Sequence, residues 1–387
     1  MNKMIYLDNA ATTFPKSERV YDAMDWFNRN QCVNAGRGGY RLAREATKLI
    51  DETKESLLSL LNLPLNRQVI FTPSATIALN QIIFGLEWNQ LKNIYVTPFE
   101  HNAIMRPLHK IASTYDIKIR IIPFNKATWE IDVDQMQKDF AINNPDYIFM
   151  SHMSNVTGYI LPCEKVLDAS AQYSPTTVID CSQSLGTVPI KKEILDADFL
   201  VFAGHKSLYG PMGIGGFISK EKISLEPVIL GGTGTESLNL EMPKAGASRY
   251  EAASYNIQAI AGLNESIRWI REEGITNIYK HKKVLTEMLI NVLREKEEIK
   301  LYLPDDLEKH CNIVSFNLSD WKSEDLGIVL DEDFNIAVRT GYHCSPLVHD
   351  FLDTKNLLGT VRVSVGYFNN NEDIDKLIQA IQELIEG

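Results

Sequence analysis

The run Phe202-Ala203-Gly204-His205-Lys206-Ser207-Leu208-Tyr209-Gly210-Pro211 sets one lysine at the mouth of a glycine-bearing turn, directly after an apolar strand. Upstream, Thr177-Val178-Ile179-Asp180 reads as a second buried strand that ends in a carboxylate, and Gln183 follows in the next turn. An amine, an anion and an amide at neighbouring strand ends suit pyridoxal phosphate. The amine serves a Schiff base, the anion the pyridinium nitrogen, and the amide the ring oxygen. Ser74-Ala75-Thr76 lies between a short strand and a helix, so its amides and hydroxyls point from a helix N-terminus, where a phosphate is favoured.

Each residue also has a plainer reading by itself. Lys206 alone reads as a solvated surface lysine. Asp180 alone reads as a helix cap or half of an ion pair, and the Ser74-Ala75-Thr76 turn as an N-cap without a ligand. For Lys206 the surrounding sequence decides otherwise. Glycines between Gly204 and Gly216 permit a close backbone approach, and burial of Lys206 lowers its pKa and makes the amine a usable base.

The elements that must position these groups alternate along the first two thirds of the chain. Leu42, Ala46, Leu49, Ile50, Thr53, Leu57 and Leu61 recur at helical spacing, which predicts an amphipathic helix from about Arg41 to Leu61. Strands are expected at Val69–Phe71, Asn93–Val96, Ile117–Ile122, Tyr147–Met150, Thr177–Ile179, Phe199–Phe202 and Gly216–Ile218, with helical stretches between several of them. This pattern predicts an α/β fold: a large domain with a mostly parallel seven-stranded sheet and helices on both faces. Beyond Ser254 the pattern shifts to long helices at Ile257–Glu273 and Asn277–Glu297. Strands at Ile313–Asn317, Ile336–Arg339 and Thr360–Val365 and a closing helix from Glu372 follow, which reads as a smaller α+β domain.

Composition sets the outer bounds. Acidic residues outnumber basic ones by 50 to 39, a formal charge of -11, which argues against a phosphate-backbone binder, so no nucleic-acid role is expected. No apolar run approaches a membrane-spanning or signal-peptide length, and the expected compartment is the cytoplasm with no membrane partner. The five cysteines, Cys32, Cys163, Cys181, Cys311 and Cys344, are scattered and odd in number, which predicts neither a disulfide framework nor a zinc knuckle. His343, Cys344 and His349 crowd one loop without a distant fourth ligand, so no metal is expected.

On the Asp180, Gln183 and His205-Lys206 motifs the chain resembles the class V aminotransferase family of fold-type I pyridoxal-phosphate enzymes, over nearly its whole length. Arg339-Thr340-Gly341-Tyr342-His343-Cys344 narrows the resemblance to the cysteine desulfurases, and its Arg-Thr-Gly-x-His-Cys form to their SUF-type branch. The resemblance implies a large cofactor-binding domain over residues 14–256 and a small domain formed by residues 1–13 and 257–387. It places the site between the domains and at a homodimer interface. Lys206 carries the cofactor and abstracts the α-proton, Asp180 faces the ring nitrogen, and Gln183 faces the ring hydroxyl. Ala75, Thr76 and His205 surround the phosphate, which Ser254 reaches from the partner subunit. His101, in Phe99-Glu100-His101-Asn102-Ala103, stacks on the ring. Asn155 and Arg362 orient the substrate, Arg362 through a two-point contact with its carboxylate. Cys344 is the nucleophile that takes sulfur from L-cysteine as a persulfide and leaves L-alanine; a glycine-containing loop beside His343 and Arg339 suits a reactive thiol. A sulfur-acceptor protein follows from that chemistry.

Ala203 departs from the family, many of whose members place a phosphate-binding hydroxyl there. No helical extension is expected before Tyr6-Leu7-Asp8, and Gly231 to Arg249 reads as shorter than the lid-forming insertion of the SUF-type branch. Selenocysteine lyase, transamination or racemisation by a related enzyme, and a persulfide carrier of low turnover stay open as alternatives. Without Cys344 chemistry the second of these would give that residue no role.

Overall fold

A computed structural model of the chain describes residues 4–36, 38–221, 223–234 and 238–386. Within them the strands are β1 Ile5–Tyr6, β2 Gln68–Thr72, β3 Ile94–Val96, β4 Ile119–Ile121, β5 Tyr147–Ser151, β6 Thr176–Asp180, β7 Phe199–Ala203, β8 Gly215–Ser219, β9 Ile299–Tyr302, β10 Ile313–Leu318, β11 Ile336–Ala337, β12 Arg339–Gly341 and β13 Thr360–Ser364. Residues 1–3 of the expected small domain and residues 235–237 of the segment compared with the lid lie outside the described residues.

Seven strands form the large sheet in the order β2-β8-β7-β6-β5-β3-β4. All neighbours pair in parallel except β8, which runs antiparallel to both β2 and β7. Strands β5 and β7 are buried along their whole length, as continuous apolar runs covered by helices on both faces should be. Helix Arg41–Leu60 turns Ala46, Ile50, Thr53 and Leu57 of the expected stripe inward, with Leu42 and Leu49 half-buried and Ala43 buried beside them. In such sheets ligands bind outside the carboxyl ends of the strands, and Ser151, Asp180 and Ala203 end β5, β6 and β7 at that edge. Because β8 is reversed, its first residue Gly215 lies at the same edge, paired with Ala203 and with Thr72.

The second body is a four-stranded antiparallel sheet, β12-β13-β10-β9. Leu285, Leu289, Leu326, Leu330, Leu377 and Ile381 from three helices cover it. Ile5 pairs in parallel with Ile336, which ties the N-terminus to this body. The expected strand Ile336–Arg339 is split: Ile336–Ala337 joins β1, and after Val338 the chain passes its hydrogen bonds to β13. The expected helix Asn277–Glu297 runs instead over Ile275–Leu293; the charged run from Arg294 to Glu298 has no apolar side chain to bury. Helix Ile257–Glu273, grouped by sequence with the small domain, contributes Ile260, Leu263, Ile267 and Ile270 to the core around the large sheet. A division at Gly274 therefore fits the packing better than one after residue 256.

Candidate active site

Ala75, Thr76, His101, Ala103, Ser151, Met153, Asn155, Asp180, Ser182, Gln183 and Lys206 line one cleft at the strand ends. The cleft adjoins a second, more open hollow that shares Thr76, His101 and Ala103 and has Cys344 in its wall. Lys206 lies beyond β7 on a turn closed by the Gly204 amide on the Ile214 carbonyl at 3.0 Å and the Gly210 amide on the Gly204 carbonyl at 2.7 Å. The Thr13 amide donates to the His205 carbonyl at 3.0 Å, which ties the N-terminal segment to the same turn. Burial lowers the pKa of Lys206; Arg362 and Arg339 push the same way, while Asp180 opposes them.

Asp180 Oδ1 accepts the Ser182 amide at 2.9 Å, and Gln183 Nε2 donates to the Ala10 carbonyl at 2.8 Å. His101 caps helix Asn102–Tyr115, its Nδ1 accepting the Ala103 amide at 3.0 Å. That bond leaves the proton of the neutral ring on Nε2. Burial, and next the Lys206 cation, push the His101 pKa down to about 4, so the ring is neutral at physiological pH. Ser74 Oγ caps helix Ala75–Gly85 by accepting the Ile77 amide at 3.3 Å. A Cβ on Gly215 would stand 2.8 Å from the Ala75 amide nitrogen; only glycine lets β8 pass behind this turn without closing it.

The nucleophile loop is held from both sides. Asn155 Nδ2 donates to the His343 carbonyl at 2.8 Å, Ser345 Oγ donates to Asn155 Oδ1 at 2.7 Å, and the Asn102 amide donates to the Cys344 carbonyl at 2.7 Å. These bonds hold His343 and Cys344 at φ of 49° and 61°, the left-handed region that side chains rarely occupy. Cys344 is exposed, and Arg339 Nη2 donates toward its sulfur at 3.5 Å. His343, expected beside the thiol, turns away: it is buried and its Nε2 lies 3.0 Å from both the carbonyl and the hydroxyl oxygen of Thr360. Its place is structural.

Arg362 is buried. Its Nη2 donates to Asp8 Oδ1 at 2.5 Å and its Nη1 to the Asn155 carbonyl at 2.9 Å, while Nε has no partner. Two expected residues are not in the wall of the cleft of their own protomer: His205, which precedes Lys206 on the turn, and Ser254, which is exposed on the segment before helix Ile257–Glu273. Asp8, Ser182, Ser345 and Glu100 are added by the structure. Ser182 had a signal in its place between Asp180 and Gln183. Asp8 had none, since its contact with Arg362 joins opposite ends of the chain.

The donor set fits a planar cofactor that bears a phosphate and bonds to an amine. The Ser182 hydroxyl and His205 Nδ1 are buried without partners, which is costly unless a ligand satisfies them, and they lie beside Asp180 and Lys206. The open Ala75-Thr76 turn supplies amides for an anion, and Asp180 is a buried carboxylate available to a protonated ring nitrogen.

The model of the aminotransferase class-V family matches residues 5–377. A probable cysteine desulfurase of Pyrococcus abyssi is 32% identical over 396 residues, covering 100% of this chain and 95% of the relative. A cysteine desulfurase of Wigglesworthia glossinidia brevipalpis is 30% identical over 394 residues, covering 98% and 92%. Among solved structures, the apo cysteine desulfurase from Thermococcus onnurineus NA1 superposes with a TM-score of 0.91 at 28% identity, covering 100% of this chain and 96% of that one.

Proposed function

Since the chain belongs to the class V aminotransferase family, we propose that it is a pyridoxal-phosphate-dependent cysteine desulfurase, which converts L-cysteine to L-alanine and keeps the sulfur as a persulfide on Cys344. The fold is that of the fold-type I transferases. The observation that carries the reading is the exposed Cys344, on a loop bound to Asn155 and Asn102, in the wall of a hollow that adjoins the cleft lined by Lys206.

The bound cofactor supplies an electron sink for the bonds at the substrate α-carbon. Lys206 is its covalent anchor, and a lysine whose pKa is lowered by burial can take up the α-proton as a neutral amine. Asp180, Gln183, Thr76, the Ala75 amide and His205 would hold the ring and phosphate, and the neutral His101, which carries a proton on Nε2, would lie against the ring. Arg362 and Asn155 receive the substrate carboxylate, with Asp8 fixing the guanidinium. Cys344 attacks the substrate sulfur: a sulfur–sulfur bond forms as the carbon–sulfur bond breaks. Of the two thiol hydrogens, one ends on the β-carbon of alanine and the other on the persulfide. The Arg339 guanidinium donates toward the Cys344 sulfur.

The reading includes a homodimer in which Ser254 of one protomer reaches the phosphate of the other. It is supported by the exposure of Ser254, by Ala203 where a hydroxyl would otherwise serve, and by the exposed apolar residues Leu230, Leu238 and Leu240. It also includes a sulfur-acceptor protein, since a persulfide on an exposed thiol is ready for transfer. The SUF-type branch rests on the Arg339–Cys344 motif. Among the described residues no helix is long and apolar enough to cross a membrane; a reducing cytoplasm is supported by the free thiols. Incubation of the purified, cofactor-loaded protein with L-cysteine should yield alanine, with sulfide released when a reductant is present. Absence of alanine refutes the function.

A further inference from the structure

Glu100 is completely buried, although it directly precedes His101 at the carboxyl edge of the large sheet. Its Oε1 accepts the Thr97 hydroxyl at 2.5 Å and the Ser151 amide at 3.0 Å, and its Oε2 accepts the Ser151 hydroxyl at 2.8 Å. The carboxyl therefore brackets the end of β3 to the end of β5. Ser151 lines the cofactor cleft and stands opposite Asp180 in the β5–β6 register. The His152 amide donates to the Asp180 carbonyl at 3.0 Å, which fixes the same pair of strand ends. One residue thus separates Glu100 from Asp180 on one side, and none separates it from His101 on the other.

No cation pairs with Glu100 among the described residues. The titratable groups around it are Asp180 on β6, the buried Cys163 thiol at the start of helix Cys163–Ser170, and the neutral His101 on its own segment. A bracket alone needs no acid. A glutamine could accept the same donors, with the Ser151 hydroxyl turned round to accept in its turn, and without the cost of burying an unpaired charge. Burial, to which the negative Asp180 adds, pushes the Glu100 pKa up to about 7, so its charge changes in the physiological range.

We propose, on the premise that Asp180 faces the ring nitrogen of the bound cofactor, that Glu100 is a positioning residue whose carboxyl acts through Ser151 on Asp180 and helps hold the proton on that nitrogen. When Glu100 is ionised, a second negative charge behind Asp180 makes proton loss from the ring harder. The effect is electrostatic and does not need Glu100 to touch the cofactor.

The test is a nitrogen NMR titration of the protein reconstituted with pyridoxal phosphate labelled at the ring nitrogen. Glu100→Gln should lower the pH at which the ring nitrogen loses its proton by about half a unit or more, a size typical of a nearby buried charge. Glu100→Asp, which keeps the charge, should bring the titration back toward the wild type. Should Glu100→Gln fail to fold, Thr97→Val serves instead. It keeps the acid but removes a donor that favours its charged form, so it should shift the titration in the same direction by less. Ring-nitrogen titrations that coincide in the wild type and in the folded variants would overturn the role of Glu100 while leaving the cofactor assignment standing. Failure of the wild type to bind the labelled cofactor would overturn both.

Discussion

Replacing Glu100 by glutamine should change how stability depends on pH, even without cofactor. The pKa of Glu100 is raised from an ordinary 4.5 to about 7 in the folded protein, chiefly because the side chain is cut off from water. The sign follows from linkage: a group whose folded pKa is raised binds its proton more tightly in the folded state. Its favourable contribution is present in full below the unfolded pKa and is lost as pH rises through 4.5 toward 7. A shift of this size corresponds to about 3 kcal/mol at 1.36 kcal/mol per pH unit. Glutamine keeps the bracket to Thr97 and Ser151 but cannot ionise, so the stability difference between variant and wild type should move in favour of the variant by about 3 kcal/mol from pH 4.5 to pH 8. For a chain of 387 residues, at about 2 cal/mol/K per residue, that is a relative rise in Tm of about 4 °C. Scanning calorimetry of both apoproteins at several pH values reads it, and taking the difference cancels every other titrating group. Parallel Tm–pH curves for the two proteins would refute the claim that Glu100 is buried without a compensating cation.

Three further outcomes follow from the site. Lys206→Ala should abolish turnover and also the covalent attachment that borohydride reduction would trap, since anchor and base are one amine; an adduct mapped to another lysine contradicts the assignment. Cys344→Ser should still bind cofactor and respond spectrally to L-cysteine, yet release almost no alanine, and wild-type protein briefly exposed to cysteine should carry one added sulfur on the Cys344 peptide by mass spectrometry. Undiminished alanine from that variant would exclude thiol attack. Asp8→Asn removes the charged partner of Arg362 at 2.5 Å and should raise KM for L-cysteine about tenfold with a smaller change in kcat; equal loss in both would place Asp8 in the chemical step instead.

The local pattern of the sequence was enough for the large sheet, because each of its strands is a short apolar run bounded by turn residues, and burial on both faces makes such runs conspicuous. It was also enough to place Asp180 at a strand end and Gln183 and Lys206 in the turns just beyond, because ligands in such sheets bind outside the carboxyl ends of the strands. The Cys344 loop was legible as a motif. Its geometry was not: Asn155 and Asn102, which hold it, come from strand and helix ends far away in the chain. For the same reason His343 looked like a companion of the thiol and proved to be a buried anchor on Thr360, because adjacency in sequence says nothing about which way a left-handed turn aims its side chains. The assignment of helix Ile257–Glu273 to the large core, the Asp8–Arg362 pair across 354 residues and the burial of Glu100 were decided by tertiary structure alone. Each depends on which surfaces meet once the two sheets are packed, and amphipathic spacing or the identity of an acid carries no record of its partner.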